Sequence, residues 1–157
     1  GAMEAKGIDA LIGAYADGLG TKSRSLEDFK SVLTMLDDQP IEDQVEMIRL
    51  TLNYPGDPDD MSYTIRERYL NEEIALTWQF AKEISLTYGG PTAEEDFAQL
   101  EEVILTARNT AWVDLLADLE ERNIFAAFGA GHLPGEFGVL YLLEQAGYEI
   151  TRIQVPD

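Results

Sequence analysis

Hydrophobic residues recur every three or four positions along most of the chain, the spacing that places them on one face of an α-helix. The first such run extends from Glu4 to about Asp17. Similar runs follow, interrupted by the proline- and aspartate-rich stretch NYPGDPDD and, later, by ARNTAW. The pattern therefore predicts helices over residues 4–122, including one long helical stretch from Met61 to Tyr88.

The pattern changes after residue 122. IFAAFGA is a short apolar run typical of a fully buried strand, FGVLYLLEQAG has helical spacing, and YEITRIQV alternates as a strand does. A strand, a helix and a second strand in this order indicate a parallel βαβ unit over residues 123–155. The predicted fold class is α+β, α/β-like at its end: a single domain over residues 4–157, predominantly helical, with a small parallel βαβ unit at the C-terminus. Residues 1–3, GAM, are interpreted as a cloning scar.

Charge and composition exclude several classes of function. Eleven basic and 30 acidic residues give a net charge of −19, which disfavours binding to nucleic acid and to anionic membranes. The chain has no cysteine, so disulfides and thiolate metal sites are excluded. No apolar run is long enough to predict a membrane span. The compartment stays open, with a bacterial periplasm or envelope favoured over the cytoplasm.

The single histidine of the chain, His132, lies in a glycine-rich segment between the first predicted strand and the helix. Gly129 and Gly131 leave the backbone bare there, so another group can approach it closely. A G-x-G-x-x-G nucleotide loop would need glycine where Pro134 stands. The positive end of the helix dipole favours a neutral imidazole, which can bind a metal or accept a proton. Glu136 follows in the first helical turn, and a purely structural role for the histidine remains the alternative.

One histidine is only part of a metal site. Zinc sites usually use three or four protein ligands, and harder ions such as manganese accept carboxylates beside imidazole. The chain has many carboxylates but no H-E-x-x-H or comparable spacing that assigns them to a metal. The sequence therefore predicts part of a metal site, with the remaining ligands unassigned.

The segment FAAFGAGHLPGEFGVLYLLEQAGYEITRI resembles the C-terminal signature of the TraB/GumN family, which includes PrgY and is related to the Tiki proteins. ARNTAW is similar to the R-N element of that family, and Asp9, Leu26 and Glu27 fit its G-x-D and L-E elements. The signature positions that match in register are Gly129, His132, Leu133, Gly135, Gly138, Leu143, Gly147 and Tyr148.

The resemblance also implies a missing part. Members of the family have an earlier G-T-x-H motif, whereas Gly20-Thr21 is followed here by Lys22 with no histidine. We therefore expect the chain to be a C-terminal portion whose sheet is incomplete relative to that of the family. The resemblance implies a metal-dependent hydrolase, acting on peptides as the Tiki members do, with manganese, cobalt or zinc bound in the full-length protein. We expect this portion alone to hold no metal tightly and to be inactive.

Specific roles follow from the same resemblance. His132 would be a metal ligand or catalytic base, and Glu27 a second metal ligand. Arg108 would act in catalysis by holding a substrate carboxylate or the charge of an intermediate, and Glu136 is the third catalytic candidate. The structural alternative for Arg108 and Asn109 is helix capping and surface pairing. For Glu27 it is an ordinary place in a first helical turn, in a helix that Ser25 would cap.

Asn109, Gly129 and Gly131 are the candidate substrate-binding residues. The alternative function is a non-catalytic module that binds a peptide or another small ligand, or that regulates, through the same loop. An incomplete sheet also leaves an open edge, which predicts a homodimer.

Overall fold

The computed structural model describes residues 7–121 and 123–154, except for the side chain of Leu36. The proposed cloning scar, the predicted helix start at Glu4 and residue 155 of the predicted βαβ unit lie outside these residues. Within them, the α-helices are α1 (Ile8–Gly18), α2 (Phe29–Asp37), α3 (Ile41–Asn53), α4 (Pro58–Leu70), α5 (Ile74–Tyr88), α6 (Ala93–Glu101), α7 (Ala107–Ala117) and α8 (Val139–Gln145).

Helix boundaries follow local side-chain chemistry. The break predicted at NYPGDPDD is confirmed, because α3 ends at Asn53 and Asp57 accepts a hydrogen bond from the backbone N–H of Asp59 at the start of α4. The stretch from Met61 to Tyr88 is helical as predicted, but it forms two helices, α4 and α5. A turn over residues 71–73 divides it, with Glu72 at a φ of 60°. The predicted cap of α2 is also displaced from Ser25 to Asp28, whose side chain accepts from Lys30 N–H.

Residues 93–117 form one continuous helix, although the sequence predicts two helices separated by ARNTAW. Between α6 and α7 lies a π-helical segment, Glu102–Thr106. A π turn holds more residues than an α turn, so it rotates the faces on its two sides relative to each other. The helix can therefore bury Phe97 in α6 and present Arg108 and Asn109, in α7, to the C-terminal segment.

The predicted βαβ unit is wrong: residues 7–121 and 123–154 contain no β-strand. Its helix forms as α8, but residues 123–129 and 148–154 are irregular chain without ladder partners. A strand needs a neighbour for its backbone N–H and C=O groups, and the hydrophobic pattern does not supply one. The first segment, which was predicted to be buried, has Phe125 80% exposed. In the second segment Ile153 is 83% exposed. The fold is helical rather than α+β.

The main hydrophobic core lies where α7 meets α8. Trp112 and Val113 of α7 and Val139 of α8 are buried together, and Leu26, Phe128, Leu142 and Leu143 pack around them. Because Leu26 belongs to this core, the residue that follows it, Glu27, is carried to the surface of α7. None of the described helices is both long and apolar enough to span a bilayer.

Candidate functional site

A hydrogen bond between Asn109 and His132 determines which nitrogen of the imidazole carries the proton. Asn109 is buried, with 1% of its surface exposed, and its Nδ2 donates to the carbonyl oxygen of Phe137 at 2.7 Å and to that of His132 at 3.4 Å. Its Oδ1 lies 2.7 Å from His132 Nδ1. An amide oxygen only accepts, so Nδ1 must be the donor and the lone pair of the neutral ring is on Nε2.

Electrostatics also favour the neutral imidazole. Partial burial lowers the pKa of His132 below its ordinary value of 6.5, and the neighbouring Arg108 guanidinium lowers it further, while Glu27 acts in the opposite direction. A neutral ring with its proton held on Nδ1 can accept a proton or a metal ion at Nε2.

Arg108 and Glu27 form a two-pronged ion pair. Arg108 Nη2 donates to Glu27 Oε1 at 2.5 Å and Nε donates to Oε2 at 3.1 Å, while Nη1 donates to the carbonyl oxygen of Ile104 at 3.2 Å. A guanidinium has five N–H groups, so two are left for another acceptor. Both carboxylate oxygens of Glu27 are engaged by Arg108, so binding a metal through Glu27 would require this pair to rearrange.

Trp112 contacts both His132 and Arg108, and no functional role was predicted for it from the sequence. Its ring lies 4.7 Å from that of His132 and 5.7 Å from that of Phe128, and the Arg108 guanidinium lies 4.9 Å above it. The signal was present, because positions 108 and 112 are four apart and share one face of a helix. The indole N–H is buried without a hydrogen-bond partner among the described residues.

The glycines of the loop differ in what they allow. A side chain at Gly129 would meet His132 Cδ2 at an ordinary 3.6 Å, and one at Gly131 would meet no atom within 4 Å. At Gly138 a Cβ would lie 2.4 Å from the carbonyl oxygen of Leu133, and it would come equally close to the next carbonyl. The close approach expected from the glycine pattern is therefore found at Gly138, where the backbone enters α8.

Comparison with known proteins identifies the family. The model of the TraB/PrgY/gumN family matches residues 1–152, which is almost the whole chain. The chain belongs to the TraB/PrgY/gumN family. No curated protein and no solved structure matches it.

In this TraB/PrgY/gumN protein, four of the predicted site residues come together: Glu27, Arg108, Asn109 and His132. Glu136 is exposed in the turn before α8 and makes none of the hydrogen bonds of this cluster. Its catalytic role and the substrate-binding roles of Gly129 and Gly131 stay predictions.

The fit to a metal ion is partial. His132 Nε2 suits one ligand position, but the described residues contain no group of three or more histidine, aspartate or glutamate side chains that could hold an ion. Structural and catalytic metal sites usually need at least three protein ligands. The side chains described here therefore match one ligand of a metal centre, and not a whole centre.

Proposed function

We propose that this chain supplies the histidine of a metal-dependent hydrolase that acts on peptides, and that further ligands come from outside the described residues. The observation that supports this most is the hydrogen bond from His132 Nδ1 to Asn109, which leaves Nε2 free in a neutral ring. Ligating histidines commonly donate their other N–H in this way. Bound beside Nε2, a manganese, cobalt or zinc ion would supply Lewis acidity toward a carbonyl oxygen.

The roles of the other residues follow from their contacts. Asn109 holds the ring in one tautomer and one orientation, and the two remaining N–H groups of Arg108 can bind a substrate carboxylate. Glu27 holds the guanidinium over Trp112. In this proposal Glu27 is a metal ligand only if a substrate or ion displaces Arg108 from it.

The test uses His132 as the only imidazole in the chain, so its ring nitrogens need no assignment. Long-range ¹H–¹⁵N spectra should show a neutral ring protonated at Nδ1, and added Zn²⁺ should shift Nε2. A separate measurement of total bound zinc, with His132→Gln as the control, separates this ion from those that bind the many surface carboxylates. Zinc coordinated through Nδ1 instead of Nε2, or no effect of zinc on the ring at all, would contradict the proposal.

Assays of peptide hydrolysis and peptide binding separate the hydrolase from a non-catalytic ligand-binding module. If the hydrolase proposal is right, this chain alone should bind metal weakly and should not hydrolyse peptides. Activity should appear when the polypeptide that carries the other metal ligands is supplied. Peptide binding that is unchanged by a chelator and by His132→Gln would favour the module. Clear hydrolysis by the 157-residue chain would show that its own residues complete the site.

We also propose that the chain self-associates, although the sheet edge expected for this is absent from the described residues. The support is the exposure of Phe125 and Ile153 in two irregular segments whose backbone groups have no ladder partners. Light scattering at micromolar concentration should give the mass of a dimer, and Phe125→Lys should weaken it. A monomeric mass at that concentration would refute self-association.

A further inference from the structure

A groove of about 470 Å³ lies between α3 and the corner formed by α5 and α6. Its apolar lining includes Met47 and Leu50 of α3 and Phe97 and Leu100 of α6. Phe97 is buried, whereas Met47 is 53% exposed, so the groove has a fixed side and an adaptable side. The volume lies within the range of sites that bind small ligands or a few side chains of a partner.

The groove is separate from the histidine site. None of Glu27, Arg108, Asn109, Trp112 and His132 lines it. A ligand of the groove therefore contacts a surface that the proposed hydrolase does not use.

Carboxylates stand on both walls of the groove. Asp43 and Glu46 lie on the α3 side, and Asp96 lies on the α6 side. The one basic residue in the lining, Arg49, is already paired with Glu46 at 2.7 Å. Asp43 and Asp96 form no ion pair within residues 7–121 and 123–154. The lining thus keeps two carboxylates, one on each wall, that are not paired with a basic side chain of the described residues.

These features select a ligand that is apolar on one side and cationic at its margins. An amphipathic helix that carries leucine-like side chains on one face and lysine or arginine beside them meets both requirements. The net charge of −19 would also attract such a segment and repel an anionic one. We propose that the groove between α3, α5 and α6 is a docking site for a cationic amphipathic peptide segment.

The experiment measures binding of a fluorescent synthetic helix of about four turns, built from leucine and lysine, by anisotropy. A scrambled peptide of the same composition has the same charge but no apolar face. A third peptide carries glutamate in place of lysine. The amphipathic cationic peptide should bind at least about tenfold more tightly than the scrambled one, because only it can bury leucine side chains in the groove.

Matched variants locate the binding. Met47→Gln should weaken it about fivefold, since it replaces an apolar contact, whereas Leu52→Gln should not change it. Leu52 is also on α3 and is 78% exposed, but it does not line the groove. Helical circular dichroism of both variants shows whether they remain folded.

A second matched set tests the charges. The double variant Asp43→Asn, Asp96→Asn should bind the cationic peptide more weakly and with a smaller dependence on salt. The double variant Glu42→Gln, Glu94→Gln should leave the affinity and its salt dependence nearly unchanged. The control residues lie in the first turns of the same two helices but outside the groove. Equal binding of the scrambled peptide, equal loss in the two sets of variants, or binding of the anionic peptide would each overturn the proposal.

Discussion

Replacing Asn109 by leucine tests the central geometry of the site. Leucine is close to asparagine in size, so Asn109→Leu removes hydrogen bonds without opening a large cavity. It leaves the Nδ1–H of His132 and the carbonyl oxygen of Phe137, each 2.7 Å from the amide, without a partner, and it removes the longer bond to the carbonyl of His132. A fully buried group left unpaired costs about 1–3 kcal/mol, and both groups are only partly buried, so we expect a loss of about 2–3 kcal/mol in unfolding free energy.

Urea denaturation followed by circular dichroism measures this loss, which corresponds to a decrease of about 1–2 M in the midpoint. Asn53→Leu is the control, because Asn53 is also helical but is exposed. The ¹⁵N spectrum of His132 should change at the same time, from one tautomer to a mixture of two. A loss below about 1 kcal/mol together with an unchanged tautomer would refute the assigned role of Asn109.

Three other predictions use the same site. Because burial lowers the pKa of His132, the folded state binds fewer protons than the unfolded state between that lowered pKa and 6.5. Stability should therefore fall as pH is lowered through this window, and His132→Gln should remove that part of the pH dependence in urea titrations. Gly138→Ala should cost at least about 1–3 kcal/mol, since its Cβ would meet carbonyl oxygens at 2.3 and 2.4 Å, while Gly131→Ala should be nearly neutral in the same titrations. Arg108→Lys should cost about 1 kcal/mol by losing the two-pronged contact with Glu27, and a double-mutant cycle with Glu27→Gln measures that coupling; additive effects would contradict it.

The sequence predicted the residues of the site better than the fold around them. The R-N pair and the lone histidine were singled out by residue type and resemblance, and the structure brings Arg108, Asn109 and His132 together. The partner of Arg108 could not be predicted, because the 81 positions that separate it from Glu27 carry no periodicity that links them. The π segment before α7 was equally invisible, since the spacing of its apolar residues does not distinguish a π turn from an α turn.

The prediction of β-strands was wrong for a different reason. Alternation and apolar runs report which side chains would be buried if a partner were present, and a strand forms only when that partner is there. The chain exposes 12509 Å², whereas a compact protein of 17.5 kDa exposes about 7,900 Å². The pattern around Phe125 and Ile153 therefore predicts burial that the described residues do not provide.

The dependence on salt concentration distinguishes the proposed self-association from the proposed binding of a cationic peptide in the groove. Self-association brings together two chains of −19 each, so added salt should screen their repulsion and strengthen the dimer. Binding of a cationic peptide to the groove should weaken in the same salt, because there the attraction is screened. Sedimentation and anisotropy measured over one series of ionic strengths should thus change in opposite directions. If both weakened with salt, attraction between opposite charges would drive self-association too, and burial of the exposed apolar segments would not be its cause.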